Sequence, residues 1–252
     1  MDQTLSYVML GKGSPIILLH GLALDHTIWN PVADLLKDDF LLILPDLRGH
    51  GISFSPPGEY SMGQMAEDVL RLMDQLDLEK AFIGGHSMGG YVALNFAKNY
   101  SERISGLALI ASHIYSDSPK KRDQRLDQIK ELAHRPPIKI FKEMLEGLTR
   151  DKKVKQYCKE IVKTCDPKSM QGVLYAMANR EASREIDKTL DRPVLIIAGT
   201  EDQFIPLETS REMAEELRTP YLFEVENAGH MVMMEKPYET AHAIRKYLLS
   251  ER

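Results

Sequence analysis

Cysteine is almost absent from this 252-residue sequence, and the two that occur, Cys158 and Cys165, sit one heptad apart on what reads as a single helix. Their side chains are too far apart there to bridge, so no disulfide framework is expected. Neither cysteine has His or Cys neighbours at ligand spacing, which removes the zinc reading and leaves two buried or half-buried thiols. No metal and no cofactor is expected. An excess of basic charge is also missing: 32 Lys and Arg stand against 37 Asp and Glu, for a net charge of −5 and a pI near 5.9. A polyanionic partner such as nucleic acid normally needs a basic face, so that class drops out. The one basic cluster, Lys120, Lys121, Arg122 and Arg125, is interleaved with Asp117, Asp123 and Asp127 and reads as a solvated helix face. No uninterrupted apolar run approaches the roughly 18 residues of a membrane span. The start Met1-Asp2-Gln3-Thr4 has no basic region followed by an apolar stretch. These absences predict a cytoplasmic chain with no membrane anchor.

What is present suffices for one substantial core, with 43% hydrophobic and 27% charged residues. Short apolar runs at residues 16–19, 40–44, 81–84, 107–110, 194–198 and 221–225 are bounded by Gly, Pro or Asp and separated by helical periodicity. That alternation predicts an α/β fold, a mostly parallel twisted sheet with helices on both faces. Leu5, Tyr7 and Met9 alternate with Ser6 and Val8, as in an edge strand with an apolar inward face. Met62, Met65, Val69, Met73 and Leu76 recur at steps of three and four and form a core-facing helix stripe. A final helix begins near Pro237 and turns Ala241, Ile244, Tyr247 and Leu248 to one side.

The alternation stops between His113 and about Glu185, where four helical segments follow one another, three with proline near the start at Pro119, Pro137 and Pro167. We therefore expect a core of residues 1–112 and 186–252, with residues 113–185 inserted as a helical unit after the sixth strand. There is no internal repeat.

The strongest chemical signal is Gly85-His86-Ser87-Met88-Gly89-Gly90, a G-x-S-x-G preceded by an apolar strand and followed by a helical run. A sharp strand-to-helix turn strains its central residue and pushes the Ser87 hydroxyl above the sheet, with a helix N-terminus behind it. A serine hydroxyl is a weak nucleophile, so it needs a base and a third group to orient that base. Of eight histidines, His230 in Asn227-Ala228-Gly229-His230 follows the last strand and precedes the last helix, which puts it at the carboxyl edge of the sheet beside Ser87. His20, His50 and His86 lie in glycine-flanked turns that suit structural hydrogen bonds, and His26, His113, His134 and His242 have no comparable context. Glu201 and Asp202, in the loop after residues 194–198, compete for the third role. For an oxyanion, the backbone N–H groups of Met88, just after the nucleophile, and of Leu22, after the strand ending His20-Gly21, are the natural donors.

With these elements assembled, the chain resembles the α/β-hydrolase superfamily from its first apolar strand to its last helix. Pro45-Asp46-Leu47-Arg48-Gly49-His50-Gly51-Ile52-Ser53 looks like that family's D-x-R-G-H-G-x-S loop, in which Asp46 and Arg48 shape the loop. The G-x-x-D-x-x-x-P spacing from Gly199 to Pro206 resembles the family's acid loop, and the order Ser, Asp, His matches, so the resemblance selects Asp202 over Glu201. The helical insertion sits where many members carry a cap that lines the substrate pocket, which makes Phe141, Leu145 and Met177 candidate substrate contacts. Serine at the turn is unlike the epoxide hydrolase and haloalkane dehalogenase branches, which place aspartate there. The serine branch spans esterases, monoacylglycerol lipases, enol-lactonases, carbon–carbon bond hydrolases, hydroxynitrile lyases and cofactor-free haloperoxidases, all on one triad. The wording Gly-His-Ser-Met-Gly-Gly is similar to esterases and monoacylglycerol lipases, and Tyr175 to Arg180 to enol-lactonases and small esterases. The resemblance therefore implies hydrolysis of a small, fairly apolar carboxylic ester, with that small molecule as the partner. The alternatives are a 3-oxoadipate enol-lactonase-like or carbon–carbon bond hydrolase, and, from another class, a small-ligand sensor on the same fold, which the Met-Gly-Gly continuation disfavours. Oligomeric state is not encoded in any of these features.

Overall fold

The computed structural model describes residues 4–56, 58–219 and 221–250. Among them, seven strands build one sheet: β1 Tyr7–Gly11, β2 Ser14–Leu19, β3 Phe40–Pro45, β4 Ala81–His86, β5 Ile104–Ile110, β6 Leu195–Gly199 and β7 Leu222–Val225. Their order is β1-β3-β2-β4-β5-β6-β7, parallel throughout except for the antiparallel β1–β3 pair, with Tyr7 opposite Pro45. The central strands are unbroken apolar runs because helices cover both faces: Ile16 to Leu19, Ile83 and Ile197 have no solvent exposure. The helices α1 Asn30–Leu36, α2 Met62–Gln75 and α3 Met88–Asn99 supply part of that cover. On α2 the predicted stripe is buried from Met62 to Met73. Its start is fixed by a capping box, with Ser61 Oγ accepting the Gln64 N–H and Gln64 Oε1 accepting the Ser61 N–H.

The segment between β5 and β6 is helical, as α4 Pro119–Leu132, α5 Pro137–Ile140, α6 Lys142–Leu148, α7 Lys152–Thr164 and α8 Pro167–Ala178. It follows the fifth strand in chain order, not the sixth: β1 to β5 precede it, the edge strand and the four apolar runs up to residue 110 making five. Five helices replace the expected four. The run from Ile138 to Leu148 breaks at Phe141 (φ −91°, ψ 15°), where a ring only 1% exposed anchors the joint between α5 and α6. After the insertion come α9 Leu207–Glu216, the short α10 Val232–Glu235 and α11 Pro237–Ser250.

Two further expectations change. Met9 is half exposed although Leu5 is buried, since β1 pairs on one side only and lies where the covering layer ends. Arg125 does not belong to a solvated face: it is buried, and its Nε donates to Asp117 Oδ2 at 2.6 Å, while Arg180 Nη1 approaches Asp117 Oδ1 at 2.8 Å. The thiols behave as expected, with Cys158 on α7 and Cys165 just past it both free, and burial pushes each up to about 12. No described helix is long and apolar enough to cross a membrane.

Candidate active site

Strand β4 ends at His86 and α3 begins at Met88, so the turn between them is a single residue, Ser87, with φ 50° and ψ −115°. A non-glycine residue there is strained, and the surroundings hold it. The Ser87 N–H donates to the Ile110 carbonyl at 3.0 Å, and its own carbonyl accepts from Gly90 N–H at 2.9 Å and Ser112 Oγ at 2.8 Å. The turn also needs Gly89, because a Cβ there would overlap the Leu19 and His20 carbonyls at the end of β2. That closeness brings the loop after β2 against the serine.

The loop after β6 carries Asp202, 8% exposed, and the loop after β7 carries His230, 4% exposed. His230 Nδ1 donates to Asp202 Oδ2 at 2.8 Å, and Asp202 Oδ1 accepts the N–H groups of Phe204 at 2.8 Å and Ile205 at 3.1 Å. Three donors therefore fix one carboxylate. Glu201 points elsewhere, its Oε2 accepting from Arg150 Nη1 at 2.7 Å on the surface. Of the two acids, only Asp202 meets the histidine. The His230 backbone is held at both ends: its N–H donates to the Leu148 carbonyl at 3.0 Å, and its carbonyl accepts from His86 Nε2 at 3.1 Å. His86, next to the serine, thus ties the turn to the histidine loop.

Met88 directly follows the serine, and Leu22 is the residue after Gly21 on the loop beyond β2. Among the described residues neither N–H meets a protein acceptor, and the Gly21 backbone lies against the Ser87 Cβ. The loop bearing Leu22 is shaped by two neutral histidines. His20 Nε2 accepts the Leu47 N–H at 2.9 Å, and His50 Nε2 accepts the Ala23 N–H at 3.1 Å. Each ring's Nδ1–H then donates to a carbonyl, of Gly21 and Arg48 respectively. Burial pushes the His50 pKa down to about 3 and lowers that of His20. Asp46 accepts from the His26 ring at 2.7 Å and from the His26 and Ile52 N–H groups; burial opposes ionisation, but these bonds hold its pKa at about 2. Arg48 forms a two-point pair with buried Asp68, at 2.5 and 2.6 Å. Both residues thus act on loop shape, as the sequence suggests.

The three candidate substrate contacts, Phe141, Leu145 and Met177, are buried at 1%, 4% and 3% exposure. Met177 turns its sulfur to Arg125 Nη1 at 3.7 Å, within the packing of the insertion itself. Sequence reasoning did not single out Leu148, Phe204 or Tyr91. Phe204 stands edge-on to the His230 ring at 5.0 Å, and Tyr91 lies under the Arg180 guanidinium at 3.9 Å with its hydroxyl 3.1 Å from His113 Nε2. The isolated Gly147 within an apolar helical run was the available signal for the first pair. Among the described residues no group of three His, Cys, Asp or Glu is placed to hold a metal ion.

A family model described as the alpha/beta hydrolase fold matches residues 14–237. The chain is similar to the structure of a thermophilic esterase from Thermogutta terrifontis, solved malate bound, with 32% identity, a TM-score of 0.93, and 98% of this chain and 93% of that one covered. It shares the fold of the enol-lactonase from Burkholderia xenovorans LB400, at 24% identity and a TM-score of 0.87 over 97% and 96% of the two chains. It is also 29% identical, over 88% of its length, to the dihydrolipoyllysine-residue acetyltransferase component of the acetoin cleaving system of Pseudomonas putida. The chain spans 60% of that relative's length.

Proposed function

The chain belongs to the alpha/beta hydrolase fold family, and from that membership we propose that it is a serine hydrolase cleaving carboxylic esters of small, fairly apolar acyl groups. The observation that carries the proposal is the strained Ser87 at a strand-to-helix turn, on the same sheet edge as a buried His230–Asp202 pair at 2.8 Å. Similarity to an esterase at 32% identity supports the ester over other acyl substrates.

In this reading Ser87 Oγ attacks the acyl carbonyl while His230 takes its proton at Nε2, the nitrogen left available once Nδ1–H is committed to Asp202. Asp202 fixes that tautomer and stabilises the imidazolium. The Leu22 and Met88 N–H groups receive the oxyanion at the N-terminus of α3. The same proton then leaves with the alcohol, and water, activated by His230, releases the acid from Ser87. The helical insertion acts as a cap that sets which acyl group fits.

A second reading is favoured by one observation. Arg125 and Arg180 both turn inward around the single carboxylate of Asp117, and burial, then Arg180, push His113 down to about 4, so the cluster holds one positive charge in excess. A substrate bearing its own carboxylate, as an enol-lactone does, would suit that excess.

A serine-directed organophosphonate is expected to add once to the wild type and not to Ser87→Ala, with loss of p-nitrophenyl acetate turnover in both cases. Labelling at another residue with loss of activity would overturn the assignment. A panel adding an enol-lactone and a vinylogous diketone separates the ester from its alternatives, and a single stoichiometric burst on every member would favour a sensor.

A further inference from the structure

The turn between α6 and α7 belongs to the insertion, yet it touches the loops of both the proposed acid and the proposed base. The Leu148 carbonyl accepts the His230 N–H at 3.0 Å, and Arg150 pairs with Glu201, the neighbour of Asp202, at 2.7 Å. Gly147, one residue before Leu148, lies over the Phe204 ring, and that ring stands against the His230 imidazole with centroids 5.0 Å apart. The approach is close: a Cβ on Gly147 would lie 2.7 Å from Phe204 Cζ and 3.3 Å from both Cε atoms.

We infer that Gly147, the Leu148 carbonyl and Phe204 form a positioning device for His230, through which the seating of the cap determines whether the base is aligned. The inference rests on the serine-triad reading above and deepens it. His230 is gripped on two sides by different parts of the chain. From the core, His86 Nε2–H holds its carbonyl and Asp202 holds Nδ1–H. From the cap, Leu148 holds its N–H, and Gly147 lies over the part-exposed Phe204 ring that stands edge-on to the imidazole. Backbone bonds at both ends set where the Cα sits, and the ring contact sets the tilt of the side chain. Removing the cap contacts leaves Asp202 to orient an imidazole whose main chain has lost one anchor. Gly147 is what allows both contacts together, since any side chain must drive the ring off the imidazole or lift the turn and its carbonyl away.

A purely structural role makes a different prediction for the simplest variant. The methyl of Gly147→Ala would meet the Phe204 ring and cost stability, but kcat per folded site would stay at the wild-type value. A positioning role predicts a catalytic loss in a folded protein. The test is p-nitrophenyl acetate hydrolysis by wild type, Gly147→Ala and Gly147→Ala/Phe204→Leu, each normalised to sites titrated by an organophosphonate, with unfolding followed in parallel. Small displacements of a reacting group can cost up to about a hundredfold, so kcat per titrated site in Gly147→Ala is expected to fall about tenfold to a hundredfold with KM changed far less. In the double variant the leucine makes room for the new methyl, so the Leu148 bond is regained, but the ring no longer stands against the imidazole, and kcat per site is expected to recover only in part. An unchanged kcat per site in Gly147→Ala, or a double variant that either matches wild type or recovers nothing, would overturn the inference. Ser87→Ala, assayed alongside, separates the two failures: turnover retained there would bring down the triad and this inference together, whereas turnover abolished there with Gly147→Ala unaffected would bring down the inference alone.

Discussion

The carboxyl edge of the sheet and the helical insertion solve different problems with the same kinds of residue. At the edge, every proposed reacting group hangs on a loop of a few residues fixed by several hydrogen bonds: Ser87 by Ile110, Gly90 and Ser112, and Asp202 by Phe204, Ile205 and His230. In the insertion, helices pack side by side around a buried carboxylate shared by two arginines, and most other ion pairs there are exposed. Exposed pairs contribute little, whereas breaking a buried one leaves a charge without compensation. The proposed chemistry thus resides where the chain has least freedom, whereas the insertion is held by its own helix packing and by its contacts at the seam.

Substitution of the two neighbouring acids should give the largest difference between edge and surface. Asp202→Asn removes the acceptor that sets the His230 tautomer, and in serine proteases built on the same triad that change lowers kcat by about four orders of magnitude. Glu201→Gln loses only a surface pair with Arg150, so kcat should stay near the wild-type value. Steady-state kinetics on one ester decides it, and the reverse ranking would make Glu201 the orienting acid.

The insertion should fail differently. Asp117→Asn leaves Arg125 and Arg180 facing each other without their carboxylate, and breaking a buried pair in this way costs about 3–5 kcal/mol. Urea unfolding should register that loss, while the rate at which an organophosphonate adds to Ser87 in the folded protein should change only a few-fold. A phosphonylation rate that collapsed along with stability would mean that the two regions do not act separately.

Most of the edge could be read in the sequence because its determinants are local. An apolar strand, G-x-S-x-G and a helical run specify the serine turn without reference to anything distant, and the strand-loop-helix context of His230 is nearly as compact. The family's acid-loop spacing separated Asp202 from Glu201, a choice local pattern left open; the geometry gives the physical difference, since Glu201 is drawn outward by Arg150 of the insertion. What escaped reading is tertiary. The periodicity of Ile138, Phe141, Leu145 and Leu148 fits one helix, and only the burial of Phe141 at the joint breaks it into two. Arg125 reads as one more charge on a mixed face until α8 brings Arg180 to the same aspartate. The Leu148 carbonyl is a main-chain group, and no residue type announces it.

The smallest effect concerns the loop that presents Leu22, and it depends on pH. His50 is neutral in the fold because burial disfavours its charged form, and its bare Nε2 accepts the Ala23 N–H, with Ala23 in a left-handed conformation at φ 56°. Its folded pKa of about 3 lies below the value near 6.5 expected in the unfolded chain. Between those two values the unfolded chain binds a proton that the folded chain refuses, so stability from this group is fully present above about pH 6.5 and declines as the pH falls toward 3. One such proton corresponds to a slope of up to about 1.4 kcal/mol per pH unit. In His50→Gln that contribution disappears, so the variant should be less stable than wild type at pH 7, where the Ala23 N–H loses a well-placed acceptor, yet lose stability less steeply as the pH falls. His20, His86 and His113, each also lowered by burial, add the same slope to both proteins and cancel in the comparison. Urea unfolding at pH 7, 6 and 5 measures both quantities. Parallel slopes in the two proteins would mean that His50 takes up a proton without unfolding, and hence that its Nε2 does not hold the Ala23 N–H.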